Sequence, residues 1–279
     1  VIPALAEDTV VAIDGKTSRR TANKKATDNQ PLHLVSAFGA GIGVVLGQTA
    51  TAEKSNEITA IPALLKTLAL EGTTVTIDAM GTQTKIARTI RERQADYVLC
   101  VKDNHSGLLD SIMFAGLDPK RKLTPTSVDE ITLTKNNHGR IETRRCWAYD
   151  AVDRLYKAEQ WKDLRSFAVI ERERTVGDRT SIERAYYISS LPADAARIAR
   201  AVKSHWAVEN RLHWCLDVQL NEDQSRVRTG FAANNLAIVR HIVMNLLRLN
   251  TTVKAGIKNK RLLASASDEF RAEALGFMT

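Results

Sequence analysis

The chain has 279 residues, of which 44% are hydrophobic and 26% are charged. This composition is that of a folded globular protein with a sizeable core, and it excludes a disordered chain. The 40 Lys and Arg outnumber the 32 Asp and Glu and give a net charge of +8 at pH 7. Such an excess is typical of nucleic-acid binders, although many basic proteins bind none.

Cysteine spacing and hydropathy exclude several further classes. Cys100, Cys146 and Cys215 stand far apart and form no CxxC pair, which argues against a zinc finger or a disulfide-stabilised secreted domain. Reduced cysteines in a cytoplasm are the simplest interpretation. No run of 18 apolar residues predicts a membrane span. The start, VIPALAEDTV, carries neither an initiator methionine nor a signal peptide. We therefore expect the chain to be part of a longer protein.

The first hundred residues predict alternating strands and helices. A β-rich run, TVVAID, ends at Asp14, and two later β-branched runs joined by glycines predict a hairpin. The following predicted elements are a helix over 57–70, a strand over 73–78 that ends at Asp78, a helix over 84–94 and a strand over 95–102. This order predicts an α/β fold with a mixed sheet and crossover helices.

The remainder of the chain predicts a β-rich part and then a helical part. From about residue 103 to 191, strand-like pieces such as RSFAVIERERTV alternate with polar turns, and only 154–164 has a helical pattern. Helical periodicity returns at Ala193 and continues through KSHWAVENRLHWCLDV. A last amphipathic helix is predicted over about 232–249, packing through Leu236, Val239, Ile242, Val243 and Leu246.

Glu209 and His205 are ionisable residues among apolar ones on the predicted helix. At about 100° per residue, Ile198, Val202, His205, Glu209, Leu212 and Leu216 fall within a sector of roughly 80°. An unpaired carboxylate in such a stripe costs several kcal/mol. A protonated Glu209, or a Glu209 hydrogen-bonded to His205, is one interpretation; a metal ligand is the other.

Asp14 and Asp78 favour the metal interpretation. Each ends a predicted strand, and in α/β sheets the ends of strands position catalytic side chains. Two adjacent aspartates repel unless a cation lies between them, and carboxylate oxygens suit Mg²⁺ or Mn²⁺. An aspartate that follows a strand is, however, also a common turn residue or helix cap.

Two other motifs have weaker functional interpretations. GAGIG at residues 39–43 lacks the spacing of a dinucleotide-binding loop and is followed by a strand, so a hairpin turn is predicted. His205, Glu209 and His213 could ligate zinc, but His213 departs from the stripe. Trp206 and Trp214 could stack on an unpaired base, with core or interface packing as the alternative.

Basic and polar residues near the three acids are candidate DNA contacts. The loop after Asp14 carries Arg19, Arg20, Lys24 and Lys25, which could contact phosphates or simply be solvated. The complete set of candidate DNA-binding residues is Lys16, Arg19, Arg20, Lys102, Asn104, His205, Asn210, Arg226 and Arg228.

Successive blocks of the sequence resemble one protein family. The blocks are VVAIDGK, LVSAF, GVVLGQ, EKSNEITAIPALL, VTIDAMG, DYVLCVKDN, HGRIETRR, YYISSL and SHWAVENRLHWCLDVQLNEDQSRVR. In this order they resemble the bacterial insertion-sequence DDE transposases of the H-repeat-associated type, and the resemblance covers nearly the whole chain. Family members carry a further helical segment ahead of the position where this chain begins.

The resemblance implies a ribonuclease H-like α/β fold: residues 1–102 form the first part of the catalytic core, residues 103–191 the β-rich insertion, and residues 192–279 the helical part. It implies that Asp14, Asp78 and Glu209 are the catalytic acids, with Asp14 bridging two Mg²⁺ or Mn²⁺ ions. It further implies cleavage and joining of double-stranded DNA at element ends and target, by a homodimer on DNA in the bacterial nucleoid.

The sequence departs from related cut-and-paste transposases around the glutamate. Where those place Tyr, Arg and Lys in the pattern Y-x2-R-x3-E-x6-K, this chain has Val202, His205 and Leu216. His205 could replace the arginine near a phosphate when protonated, or as a neutral donor. Two alternatives stay open: a ribonuclease H-like nuclease or resolvase that does not join strands, and a domesticated DNA-binding protein.

Overall fold

The computed structural model describes residues 5–22, 30–51, 57–117, 123–135 and 140–277. Over these ranges the chain divides into two compact units. The first unit comprises the described residues of 11–68 and 206–277, and the second comprises the described residues of 5–10 and 69–205. None of the helices in these ranges is both long and apolar enough to cross a membrane.

The sheet of the first unit is antiparallel. Its strands are β1 (Val10–Thr17), β2 (His33–Gly39) and β3 (Val44–Thr51). β2 pairs with both neighbours, with Ser36 opposite Asp14 on β1. The hairpin predicted at the glycines is thereby confirmed. The predicted end of the first strand at Asp14 is wrong, because β1 continues to pair with β2 as far as Thr17, opposite His33.

Helix α1 (Glu57–Lys66) follows the hairpin. It ends earlier than the predicted 57–70. Leu68 and Leu70 are nevertheless buried, because the chain turns here and packs them onto the core. Their apolar spacing therefore reflects burial in a turn and not a continued helix.

The remaining helices of the first unit come from the end of the chain. They are α5 (Trp214–Leu220), α6 (Ala232–Leu249), α7 (Ile257–Ala266) and α8 (Asp268–Ala274), and a π-helical turn, Val208–His213, precedes α5. The π-helical turn, α5 and α6 cover the sheet through a core of Ala12, Phe38, Val45, Val208, Leu212, Leu216 and Met244, and α7 and α8 pack against these helices. Removing this apolar surface from water stabilises the attachment of the helical segment to the strands.

Helix α6 has the predicted bounds but buries a different face. Val239 and Ile242, predicted to pack, are each 52% exposed. The buried residues are Ala237, His241, Met244 and Leu247. Because apolar residues occur on more than one side of this helix, hydropathy spacing alone identified the wrong face.

The second unit contains a six-stranded mixed sheet. β4 (Thr74–Ile77) is parallel to β5 (Asp96–Val101). β5 pairs antiparallel with β9 (Arg179–Ser189), and the antiparallel order continues through β8 (Ser166–Val176), β7 (Arg140–Tyr149) and β6 (Ser127–Lys135). With helices α2 (Thr84–Glu92), α3 (Ser106–Leu117) and α4 (Ala195–His205), this confirms the α/β class.

The β-rich stretch is confirmed, with two corrections. Helix α3 was not predicted, because apolar residues on more than one side of it obscure the 3.6-residue spacing of a helix. Its Leu108 and Ile112 are buried. The helix expected over 154–164 is wrong: Lys157 and Asp163 both have φ of 54°, a left-handed conformation that interrupts an α-helix. The proposed division into residues 1–102, 103–191 and 192–279 stays a prediction.

Candidate active site

Asp14 lies on β1 with its carboxylate 21% exposed. The backbone N–H of Gly15 donates to Asp14 Oδ1 over 2.9 Å. His213 Nδ1 lies 3.5 Å from Asp14 Oδ2. Sequence reasoning considered His213 only as a zinc ligand and missed it as a neighbour of Asp14. The one available signal was its spacing, four residues or about one helical turn after Glu209.

Glu209 lies on the π-helical turn that precedes α5. There the N–H of Trp214 donates to the carbonyl of Glu209, five residues earlier, which widens the turn. Val208 and Leu212 are fully buried, whereas Glu209 is exposed. The predicted position of Glu209 inside the apolar stripe is therefore wrong. The helical wheel assumed one continuous α-helix, and the wider turn changes the phase.

Asp14 and Glu209 line the same cavity of about 540 Å³. Its other lining residues are Gly15, Lys16, Thr17, Arg19, His33, His213, Asp217 and Asp223. Two carboxylates facing one polar cavity fit a hard divalent cation such as Mg²⁺ or Mn²⁺, which prefers oxygen ligands. Among the described residues, no three His, Cys, Asp or Glu side chains are grouped closely enough to form a complete metal site.

A cluster of ion pairs around Lys16 occupies one side of this cavity. Lys16 Nζ lies 2.7 Å from Asp217, 3.0 Å from Glu222 and 3.2 Å from Asp223. Burial alone would lower the pKa of Lys16, but Glu222 and Asp217 outweigh burial and raise it. Because Lys16 is two residues after Asp14 and Asp217 lies on α5, the cluster ties β1 to the helix that follows Glu209.

Four of the candidate DNA contacts lie on two adjoining loops. Arg19 and Arg20 are exposed, and the Arg228 Nε–H donates to the carbonyl of Arg20 over 2.9 Å. Arg19 Nε lies 3.6 Å from Asp223 and its side chain is 82% exposed, and Arg226 is also exposed. The structure thus brings together basic residues that are distant in sequence. Lys24 and Lys25 lie outside the described residues.

A chain of hydrogen bonds connects Thr17 on β1 to His33 on β2 and Glu57 on α1. Thr17 Oγ1 and His33 Nδ1 are 2.7 Å apart, and His33 Nε2 and Glu57 Oε1 are 2.6 Å apart. A Cβ at Gly15 would overlap the side chains of His33 and Glu57. A glycine is therefore needed at position 15 to let the side chains of His33 and Glu57 approach the backbone. These hydrogen bonds hold β1 in place beside Asp14.

Asp78 belongs to the second unit, so its predicted proximity to Asp14 and Glu209 stays a prediction. It follows β4, is exposed, and accepts a hydrogen bond of 3.2 Å from the Gly81 N–H. The Asn104 amide donates to the carbonyl of Ala79 over 2.7 Å and so braces this loop. Lys102 follows β5, the parallel neighbour of β4, and is exposed at the same sheet edge.

The residues around the break between α4 and α5 differ in exposure. His205 Nδ1 lies 3.0 Å from Thr76 Oγ1, and burial lowers the pKa of His205, with the Asp78 charge acting against that shift. Asn210 is exposed and donates to the carbonyl of Trp206 over 3.1 Å. Trp206 and Trp214 are 44% and 54% exposed, so neither is packed in the core.

Three comparisons with known proteins agree. Residues 5–246 match the family described as transposase DDE domain. The chain is 40% identical over 90% of its length to YncI of Escherichia coli O157:H7, and 37% identical over 95% to YhhI of strain K12. Both are provisionally named transposases, the second as H repeat-associated. The chain spans 65% and 71% of these two relatives.

The fold is similar to that of a solved transposase. A cryo-EM structure of the piggyBac transposase synaptic complex with hairpin DNA matches 97% of this chain and 54% of its own, with a TM-score of 0.52 and 10% identity. At this identity the likeness concerns the fold, and it is consistent with the ribonuclease H-like mixed sheet. Because the family model matches most of its length, the chain belongs to the transposase DDE domain family.

Proposed function

We propose that the chain is the catalytic region of an insertion-sequence transposase that cleaves and joins DNA strands. The observation that carries this proposal is the cavity shared by Asp14 and Glu209 in a member of the DDE family. Asp78, at the end of β4 and braced by Asn104, would be the third acid.

The family uses divalent metal ions, and for this chain we propose Mg²⁺ or Mn²⁺ held by Asp14, Asp78 and Glu209. Two such ions activate the attacking oxygen and stabilise the leaving oxygen in phosphoryl transfer. Asp14 would hold metal from β1, and Glu209 would do so from the π-helical turn that lines the same cavity. The orientation of Asp14 by the Gly15 N–H and by His213 would prevent the carboxylate from rotating away.

The other residues of the site would position DNA. Arg19, Arg20, Arg226 and Arg228, on the two joined loops, would neutralise phosphates near the cavity. Lys102 would do so at the edge that carries Asp78. Asn104, Asn210 and His205 would contact phosphates through uncharged hydrogen bonds. Burial keeps His205 neutral at pH 7, so it would act as a hydrogen-bond donor or acceptor and not as a cation.

Lys16 would mainly stabilise the structure of the site and contribute little to DNA binding. Its ammonium already contacts three carboxylates, so it contributes less charge to an approaching phosphate than an unpaired lysine does. The attacking group would be water or a DNA 3′-hydroxyl, because phosphoryl transfer needs positioning and charge neutralisation and no covalent enzyme intermediate.

The DNA partners would be the element ends and a target duplex, held by a homodimer in the cytoplasm of a bacterium, at the nucleoid. The net charge of +8 supports this proposal, because a basic surface raises the rate and affinity of association with the phosphate backbone.

The decisive experiment incubates the protein with labelled element-end DNA and Mg²⁺ or Mn²⁺. We expect nicked and joined products that fall to background in Asp14→Asn, Asp78→Asn and Glu209→Gln. Asp268→Asn, which removes a carboxylate that is 94% exposed on α8, is the matched control and should be as active as the unaltered chain.

Three other outcomes would contradict all or part of this proposal. Nicks that persist in the three acidic variants would refute the mechanism. Nicks without joined products would favour a ribonuclease H-like nuclease or resolvase. DNA affinity with no metal-dependent cleavage in any chain would favour a domesticated DNA-binding protein.

A further inference from the structure

Two arginines meet at the turn between β2 and β3 in the first unit. Arg211 Nη1 donates to the carbonyl of Ala40 over 2.8 Å, and Arg248 Nη1 donates to the carbonyl of Gly43 over 2.5 Å. We call Arg211 and Arg248 the arginine pair. Arg211 comes from the turn that carries Glu209, and Arg248 from the end of α6, so the tertiary fold alone brings them together.

The positive charge of the arginine pair is not balanced by acids. Within the described part of the chain, neither arginine forms an ion pair with a carboxylate. Burial lowers the pKa of Arg248, the nearby Cys215 acts in the opposite direction, and the Arg211 charge lowers it further. Guanidinium groups nevertheless stay protonated in proteins. Two like charges therefore lie close together, and a bound anion would relieve their repulsion.

Both guanidinium groups are held in place by the structure around them. The Arg248 guanidinium lies 5.4 Å from the centre of the Phe38 ring, within cation–π distance. Gly43 has a φ of 74°, and a Cβ there would overlap Arg211 Nη2. The exposed Arg211 has five N–H donors, and the Ala40 carbonyl occupies only Nη1. Pre-oriented guanidinium groups of this kind suit phosphate oxygens.

The position of the turn relates the arginine pair to the candidate active site. Gly39, where the turn begins, lies opposite Val11 on β1, three residues before Asp14. At about 3.4 Å per residue this corresponds to about 10 Å along the strand. One DNA strand advances about 3.4 Å along the helix axis per nucleotide. The separation of about 10 Å along β1 between Asp14 and the level of the turn therefore corresponds to a few nucleotides of one DNA strand.

We propose that the arginine pair binds a phosphodiester of the DNA backbone, a few nucleotides from the phosphodiester that is cut. This inference rests on the proposed function and adds a contact to it. Phosphate contacts fix the position of a protein on DNA and carry no sequence information. The pair would therefore hold the strand in register with the cavity of Asp14 and Glu209, for every DNA sequence alike.

The test measures binding of the chain to a random-sequence duplex at several salt concentrations, with a chelator and no divalent metal. We expect Arg211→Gln to weaken binding and to reduce the slope of log K against log salt by about 0.9, the value for one lost phosphate contact. Arg211→Lys should retain most of the slope, because it keeps the charge. Arg248→Gln is a second variant, with the same expectation as Arg211→Gln.

Arg271→Gln is the matched control. Arg271 also donates to a backbone carbonyl, that of Ala264, and is also exposed, but the carboxylate of Asp268 pairs with it. Its loss should leave the slope unchanged. Equal changes of slope in Arg211→Gln and Arg271→Gln would show a general charge effect and would overturn the proposal.

Two further outcomes would also overturn it. A lower melting temperature with an unchanged slope in Arg211→Gln and Arg248→Gln would show that the pair only braces the turn. Stabilisation of the unaltered chain by inorganic phosphate, without any change of slope for DNA in the variants, would indicate a site for a free anion. The binding test contains a chelator and no divalent metal, so it measures binding without cleavage. Failure of the proposed cleavage activity would therefore leave its results unchanged.

Discussion

At the scale of single residues, Lys16 is the centre of an ion-pair cluster with Asp217, Glu222 and Asp223. Its side chain is 11% exposed and that of Glu222 is 1% exposed. A buried ion pair is strongly destabilised when one partner is removed, because the other charge then lies desolvated and alone. Sequence reasoning placed Lys16 among the DNA contacts, since nothing in the local pattern showed that Asp217, Glu222 and Asp223 would converge on it.

We predict that Lys16→Met lowers the free energy of unfolding by about 3 kcal/mol, measured by urea denaturation at pH 7. Arg19→Gln is the control: Arg19 faces the same cluster at 3.6 Å from Asp223 but is 82% exposed, so its loss should change stability by less than about 0.5 kcal/mol. Equal effects of the two substitutions would contradict a role for Lys16 as the buried centre of the cluster.

Single residues also show where sequence reasoning succeeded. Asp78 directly follows β4 as predicted, because a strand that ends in an acid is visible in the local sequence. Asp14 lies within β1 and not at its end. His213 was missed as a neighbour of Asp14, because that contact joins residues far apart in the chain. No local period encodes such a contact.

At the scale of elements, the segment from α4 to α5 shows the limit of a helical wheel. The sequence from Ala193 onward correctly predicted helix, since apolar spacing is a local property. The π-helical turn at Val208–His213 was not predictable from that spacing, because it inserts one residue without changing the composition. Its consequence is functional: Val208 and Leu212 enter the core, while Glu209 faces the cavity.

Helix α6 carries a buried histidine on the face that the hydropathy pattern did not identify. His241 is 5% exposed, and burial, with a smaller contribution from the Lys16 charge, lowers its pKa from 6.5 to about 4. A histidine whose pKa is lower in the folded state than in the unfolded state binds its proton more weakly when folded. Its neutral form therefore supports stability above pH 6.5, and this support is lost as pH falls from 6.5 towards 4.

We predict that His241→Gln flattens the pH dependence of stability. Between pH 7.5 and pH 4, the unaltered chain should lose up to roughly 3 kcal/mol more than the variant, measured by urea denaturation at several pH values. The variant itself starts from a lower stability at pH 7.5, so the comparison concerns the change with pH and not the absolute value. The same change with pH in both chains would contradict a buried, neutral His241.

At the scale of the whole molecule, the proposed reaction requires two DNA ends. We predict that light scattering of the chain with element-end duplexes gives a complex of two 30.9 kDa chains and two duplexes, because each set of acids can act on one end at a time. A duplex of equal length without the end sequence should not support this complex. One chain per duplex at every concentration would contradict a dimer on DNA.

The amino-acid sequence by itself determined the α/β class, most strands and helices and the family, because alternation, helical period and motif order are local properties of the chain. The catalytic role of the three acids stays a prediction. The tertiary structure alone decided what each of these residues faces. It placed Lys16 within a carboxylate cluster, turned Glu209 out of the apolar stripe, buried His241 and brought Arg211 together with Arg248. These outcomes depend on contacts between distant segments, whose geometry only packing of the folded chain defines.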